Sequence, residues 1–328
     1  MPLTSHALDL QATAPSIALA LDEVGVTGVV RGVVLGAWDA PTTATFDIAA
    51  SVGADARGAH LSRFHEALDQ ALALVADDGR DVPSLAVLAA VIATRAADLQ
   101  GAATARASVR ATIAWPRVSP ASGRRTVDPF ETWATVVVDR SSGEPRTTTT
   151  IGVEATGMTA CPCAQNLVRD AARTRLLEDG LDEATTERAL DAIPVATHNQ
   201  RSTGRLEVTL FGDGAVTEMV DPLVLVDLVR ESMSANVHEL LKRDDERAIV
   251  EAAHADPRFV EDCVRALLAD TLAHPQVGGA LPASARLLAT QVNHESIHAH
   301  DVVATRSGSL RDLRDEIGDD DEPVPAPA

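Results

Sequence analysis

The chain of 328 residues contains no tyrosine, and its aromatic residues make up only 2% of the total. Its apolar fraction is nonetheless 45%, so a sizeable core must come mostly from Leu, Val, Ile and Ala. Such side chains bury little area each, which favours many small contacts or an oligomeric interface. Positive charge is also scarce: 28 Lys and Arg stand against 48 Asp and Glu, and Lys242 is the only lysine. The formal net charge of −20 offers no broad positive field, which argues against nucleic acid or an anionic membrane as partner. A small anion stays admissible, because two or three converging arginines bind phosphate whatever the overall charge. Cysteine is limited to Cys161, Cys163 and Cys263. No signal-like start and no 18-residue uncharged apolar span occur, so a cytoplasmic, reducing location without a structural disulfide is expected. Gly-rich phosphate loops and dinucleotide fingerprints are absent as well.

Val- and Thr-rich runs at 23–35 and 43–52 predict strands. Leu61, Phe64, Leu68, Leu72 and Val75 recur at helical spacing and predict a helix over 57–78, with another over 84–100 after Pro83. Strands are expected at 105–114 and 129–139, around a polar loop with Pro120 and Gly123. The second half predicts a strand at 148–156, a helix from about 164, a stretch at 181–200 that is acidic and then loop-like, and a strand at 204–211. Asp221-Pro222 and Asp256-Pro257 read as helix starts, the first helix running to about 242 and the second to about 272. Strands at 284–292 and 299–305 follow. The halves share an element order, strands flanking a pair of long helices, which predicts an α+β fold with antiparallel sheet. The expected division is a first module at 1–147, a second at 148–306 and an acidic disordered tail at 307–328.

Three clusters carry candidate chemistry. Asn293-His294-Glu295-Ser296-Ile297-His298-Ala299-His300-Asp301 holds three imidazoles and two carboxylates, and a strand there would turn His298 and His300 to one side. Neutral imidazole suits zinc or ferrous iron, and a nearby carboxylate can orient it. A solvated polar strand is the plain alternative. In Cys161-Pro162-Cys163 a thiolate could bind metal, with Pro162 sending the two sulfurs in different directions. Two small side chains in a tight turn, or a redox pair, are the other options. Thr197-His198-Asn199-Gln200-Arg201-Ser202 precedes a strand, where loops present side chains to ligands. His198 could be a ligand or proton carrier, and Arg201 and Arg205 could meet phosphates. His60 and Arg63 are three apart and would share a helix face, as substrate contacts or as a surface pair. A zinc base deaminase is excluded, because its His-x-Glu and Pro-Cys-x-x-Cys signature is missing.

With these motifs in order, the sequence resembles GTP cyclohydrolase type IB and its archaeal-type relatives. The resemblance rests on GAHLSRFHEAL at 58–68, GMTACPCAQ at 157–165, THNQRS at 197–202, LLKRDDERAIVEAAHADPRFVEDCVR at 240–265 and NHESIHAHD at 293–301, and spans most of 5–306. It implies the tunnelling fold in two tandem modules, a homotetramer with active sites near subunit interfaces, and GTP as substrate. It implies a hydrolase acting on cyclic amidines: water attacks C8 of the guanine, the imidazole ring opens and formate leaves. Rearrangement and ring closure to 7,8-dihydroneopterin triphosphate, the first step of folate synthesis in the bacterial branch, is the expected outcome; the cyclic phosphate of the archaeal branch is an alternative. A non-catalytic purine- or pterin-binding protein of the same fold is the other alternative.

Residue by residue, the resemblance makes Cys161 a catalytic and metal-binding cysteine and His198 a second ligand. It puts a further ligand at His298 or His300, leaves His300 or His198 to move protons, and makes Glu251 the holder of guanine. The metal would be zinc or ferrous iron, with manganese a further option. Arg201, Arg205, Arg63 and His60, with Arg243 behind them, are the candidates for the remaining substrate contacts. Two departures stand out. Asn236 occupies the place of a bacterial glutamate ligand, leaving water or His238 to complete the set. The 34 residues between Cys163 and His198, with Ser232-Met233-Ser234, are similar to the archaeal branch.

Overall fold

The computed structural model describes residues 9–34, 41–77, 84–212 and 220–318. Its contacts fall into two units made from interleaved segments: 1–112, 132–151 and 209–219 in one, and 113–131, 152–208 and 220–328 in the other. The boundary expected at 147/148 falls just inside the strand that begins at Arg146. The hydrogen-bonded strand order is β1 (Leu21–Val34), β2 (Pro41–Val52), β3 (Thr104–Val118), β4 (Arg125–Asp139), β5 (Arg146–Ala160), β6 (Asn199–Phe211), β8 (Arg286–Asn293) and β9 (Val302–Ser309), with β7 (Ala235–Asn236) on β5. The pairings β1–β2, β2–β3, β5–β7 and β8–β9 are antiparallel, in accord with the expected α+β class.

In the first unit β1 (Leu21–Val34) and β2 (Pro41–Val52) form a hairpin, and β2 continues onto β3 (Thr104–Val118) with Phe46 opposite Val109. Alternation along β2 buries Ala44, Phe46, Ile48 and Ala50 on one face. Helix α1 (Leu61–Asp77) buries Phe64, Ala67, Leu68 and Ala71, and α2 (Leu85–Gln100) buries most of its Ala and Leu. Helix α1 starts four residues later than its periodicity predicts, so Leu61 sits exposed in the first turn and His60 precedes the helix. Gln100 clamps that entry: its Nε2 donates to His60 O at 2.8 Å and its Oε1 accepts from His60 N at 3.2 Å. Ser84 caps α2 through Val87 N, and Gly101 closes it at φ 65°, a left-handed conformation that glycine takes without cost.

The remaining elements are β4 (Arg125–Asp139), β5 (Arg146–Ala160), α3 (Pro162–Glu178), α4 (Glu183–Asp191), β6 (Asn199–Phe211), α5 (Pro222–Glu231), β7 (Ala235–Asn236), α6 (Arg243–Ala255), α7 (Val260–Ala273), β8 (Arg286–Asn293), β9 (Val302–Ser309) and α8 (Leu310–Ile317). The core of the second unit is aliphatic, with Leu206, Val208, Leu225, Val226, Val229, Leu267 and Leu287 fully or almost fully buried.

Five sequence expectations need correction here. The helix from Pro222 stops at Glu231 and does not reach 242. Its last carbonyls, Ser232 O and Glu231 O, accept from Arg258 Nη1 at 2.8 and 3.3 Å, which satisfies the helix end and frees Ala235 and Asn236 to pair with β5. The next helix begins at Val260 and not at Pro257, with Asp262 accepting from Phe259 N at 3.1 Å. The acidic stretch forms α4, capped by Asp182 and tied to α3 by Arg169 and Arg173 against Glu183, Glu187 and Asp191. The supposed tail is ordered through residue 318, because Leu310 and Leu313 of α8 are buried; 319–328 lie outside the described residues. Finally, 294–301 is no strand. With Asn293 opposite Val302 in the β8–β9 hairpin, these residues must form its connecting loop.

One glycine holds β7 in place. A Cβ on Gly157 would stand 2.6 Å from Met233 Sδ and 3.2 Å from Ala235 O. Gly157→Ala is therefore expected to cost about 1–3 kcal/mol through overpacking, to be read by chemical denaturation.

Candidate active site

The site grows from the inward face of the sheet in the second unit. Strand alternation buries Thr159 of β5, Gln200 and Ser202 of β6, and Asn293 of β8, polar residues where the pattern elsewhere places aliphatic ones. They form a chain with a single direction. Ser202 Oγ donates to Asn293 Oδ1 at 2.8 Å, so Thr159 Oγ1 donates to Ser202 Oγ at 2.8 Å. Thr159 Oγ1 in turn accepts from Gln200 Nε2 at 2.9 Å. Gln200 Oε1 then stands 3.1 Å from His198 Nδ1 and can only accept, which puts the proton on Nδ1 and leaves Nε2 as the free lone pair.

Cys161 meets His198 through the backbone: Cys161 N donates to His198 O at 3.1 Å, and Thr197 Oγ1 donates to Cys161 O at 2.7 Å. Cys161 also caps α3, its Sγ accepting from Ala164 N at 3.5 Å, with Pro162 at the first helical position. Its sulfur thus faces the partly positive end of a helix. Cys163 is exposed and Cys263 is buried in the core, where burial pushes its thiol up to about 12.

Cys161, His198, Gln200, Arg258, Glu295 and His298 line one cavity of about 210 Å³. The imidazoles of His198 and His298 meet edge-on at 6.3 Å, while His300 stacks on His298 at 5.5 Å. His298 is among the residues lining the cavity and His300 is not. Glu295 is 92% buried, since only 8% of its side chain is accessible; its Oε2 lies 3.8 Å from His198 Nδ1 and has no hydrogen-bond partner among the described residues. An uncompensated buried carboxylate oxygen is costly and suits a cation. Among the described residues no three His, Cys, Asp or Glu side chains are gathered tightly enough to hold a metal ion. The donor types for a divalent cation therefore share one cavity without forming a closed coordination shell.

A model of the family described as Type I GTP cyclohydrolase folE2 matches residues 8–304. The chain belongs to the type I GTP cyclohydrolase family. It is 35% identical over 323 residues to GTP cyclohydrolase MptA of Methanoregula boonei, covering 97% of this chain and 96% of that one. With the MptA protein of Methanosarcina barkeri it shares 37% over 317 residues, covering 94% and 96%. A uricase from Bacillus fastidious superposes with a TM-score of 0.50 at 10% identity, covering 93% of this chain and 99% of that one. That likeness concerns the fold alone and is the tunnelling fold expected from sequence.

The other expected site residues lie elsewhere. Alternation along β6 puts Arg201 and Arg205 opposite Gln200 and Ser202, away from the Cys161 cavity, and Arg205 pairs with Glu207. Glu251 stands on α6, largely exposed, 4.0 Å from Arg247, and lines a separate cavity of about 510 Å³ with Gln165, Arg169 and His254. His60 and Arg63 line a cavity of about 700 Å³ in the first unit, where His60 Nε2 meets Asp9 Oδ2 at 3.3 Å. Arg243 is exposed at the start of α6. The Cys161 cavity is also lined by Arg258, Gln200 and Glu295. Buried polar residues at inward strand positions were the available signal for Gln200; nothing local marks Arg258.

No helix of the described residues is long and apolar enough to cross a membrane.

Proposed function

We propose that the Cys161 cavity catalyses the hydrolytic opening of the guanine imidazole ring of GTP with release of formate. The observation that carries this reading is the meeting of Cys161, His198 and His298 on one cavity with Glu295, whose Oε2 has no hydrogen-bond partner among the described residues. The family match over 8–304 supports GTP as substrate.

Cys161, His198 and His298 would hold a divalent cation, with Glu295 beside them; zinc and ferrous iron suit this donor set. When bound, the cation would lower the pKa of a water so that hydroxide is available near neutral pH. The protein's own groups do the rest. Gln200 keeps the proton on His198 Nδ1, presenting Nε2 inward. His300, stacked on His298, is placed to exchange protons with solvent as the ring opens. Arg258 supplies the positive charge at the cavity wall, a role that Arg201 and Arg205 would fill only from another surface. Gln200→Leu removes the acceptor that sets the His198 tautomer. It is expected to lower metal affinity roughly 10–100-fold, measured by competition with a chelator.

The long link before His198 and the Ser232-Met233-Ser234 segment favour the archaeal branch, and with it the cyclic phosphate over the linear triphosphate. The reading also includes a homotetramer and sites completed across subunits, for which light scattering should return four chain masses. Anaerobic incubation of metal-reconstituted protein with GTP, products resolved by mass, tests both chemistry and product. Formate with a cyclic phosphate supports the reading, formate with the linear triphosphate corrects the branch, and unreacted GTP overturns it.

A further inference from the structure

The loop that joins β8 to β9 carries Glu295, His298 and His300, yet few bonds hold it. Asn293 and Val302 are its last paired residues, and both line the Cys161 cavity. Residues 294–301 must bridge them, more than the roughly two to five residues of most hairpin loops. Among the described residues, 295–300 make no backbone–backbone hydrogen bond. The hydrogen bonds that tie the loop down run through His294. Its backbone N donates to Arg201 O at 2.9 Å. Its ring meets Thr203 Oγ1 at Nε2 and Asp301 Oδ2 at Nδ1, each at 3.0 Å. One imidazole thus fastens the start of the loop to β6 and to the loop's own end.

The placing follows from strand alternation. Ser202 of β6 and Asn293 of β8 point inward and bond to each other, so Arg201, Thr203 and His294 fall on the opposite face. The junction of β6 and β8 is therefore pinned on both faces. The inward bond belongs to the chain that ends on His198, and the outward one to the loop that carries His298. Bonding also fixes the protons. The Asp301 carboxylate can only accept, so His294 Nδ1 donates to it, and Nε2 is left to accept from Thr203 Oγ1.

The side chain of His294 is 47% accessible and that of Asp301 56%. So exposed a pair contributes little to the stability of the whole fold. Its effect is local: a loop already closed in one conformation spares a ligand the ordering that binding would otherwise require. Glu295 follows His294 directly. A loop that swung free would carry the Glu295 carboxylate and the His298 imidazole off the wall they share with Cys161.

We propose that His294 is a positioning residue: by tying Thr203 and Asp301 together it fixes the loop 294–301 and so sets the affinity of the Cys161 cavity for a divalent cation. This rests on the reading of that cavity as a cation site. His294 does not itself line the cavity.

The test is titration of the full-length protein with zinc against a chromophoric chelator, beside thermal unfolding of the same proteins without zinc. Thr203→Val keeps the side chain's shape and removes the hydroxyl donor, and Thr203→Ser keeps the donor. His294→Phe keeps a ring and removes both of its bonds. Zinc affinity is expected to fall about tenfold in His294→Phe and about fivefold in Thr203→Val, and to stay within about twofold in Thr203→Ser. Melting temperatures should stay within about 2 °C of wild type. No zinc binding by the wild type, equal affinity in all four proteins, or a weakening that Thr203→Ser shares with Thr203→Val overturns the proposal. Lower melting temperatures with zinc affinity unchanged make the clasp a structural tie only and overturn it as well. Should His294→Phe fail to fold, the two Thr203 variants decide. Formate release separates this role from the catalytic reading. If wild type forms none from GTP while zinc affinity still depends on the Thr203 hydroxyl, the GTP reading falls and the role of His294 stands. If formate is released and zinc affinity ignores that hydroxyl, only the positioning role falls.

Discussion

Cys161→Ser is expected to lower formate release from GTP on the order of 10³-fold while leaving the melting temperature nearly unchanged. The two halves of that expectation come from two roles of one residue. As the cap of α3, Cys161 accepts from Ala164 N, a task that serine performs at least as well. Its backbone N–H to His198 O is untouched by the change. What is lost is the sulfur on the cavity wall, the softest donor beside His198 and His298. Loss of a group in contact with the reacting centre has effects of this size. Parallel measurement of formate and of thermal unfolding checks both halves. A variant that melts normally and still turns over within about threefold of wild type would remove Cys161 from the chemistry.

Asp245→Ala should be the most damaging single change to the fold away from the core, lowering Tm on the order of 10 °C. The Asp245 side chain is fully buried and accepts four hydrogen bonds, from Ser122 N at 2.7 Å, Ala121 N at 2.9 Å, Ser122 Oγ at 2.8 Å and Lys242 N at 2.8 Å. It ties the β3–β4 turn to the start of α6, and removing it orphans three backbone donors at once. Burial by itself would push this carboxyl up, but the bonds from Ser122, Lys242 and Ala121 outweigh it and hold it far below the usual carboxylate range. The folded pKa is therefore the depressed one. The stabilisation is fully present above the ordinary aspartate range and is lost as pH falls through that range toward the folded value. Unfolding followed against pH should show a steeper acid loss for wild type than for Asp245→Ala. Identical acid slopes would mean that the carboxylate is not what holds the clasp.

Much of this site was legible because its residues recur in short motifs. Cys161 and His198 lie in such motifs, and both reach the cavity. His298 and His300 were equivalent on paper because strand alternation was assumed through 294–301. The loop arises from the β8–β9 register and from His294, whose ring bridges Thr203 and Asp301 at 3.0 Å each. Glu251 was placed by motif and not by geometry, and in the single chain it opens onto another cavity. The break after Glu231 was hidden for a related reason. The helix signal from Asp221-Pro222 is local, whereas the stop is made by Arg258, distant in sequence. The clasp at Asp245 likewise joins residues 123 positions apart, with no periodicity to announce it.

The most direct measurement follows the oxygen atoms. Metal-reconstituted protein is incubated anaerobically with GTP in water enriched in oxygen-18, and the small products are analysed by mass. C8 of guanine bears no oxygen, so ring opening and deformylation by two waters should yield formate labelled at both oxygens, one formate for each GTP consumed. Ammonia in place of formate, or phosphate release with the purine ring intact, would contradict the account at its centre.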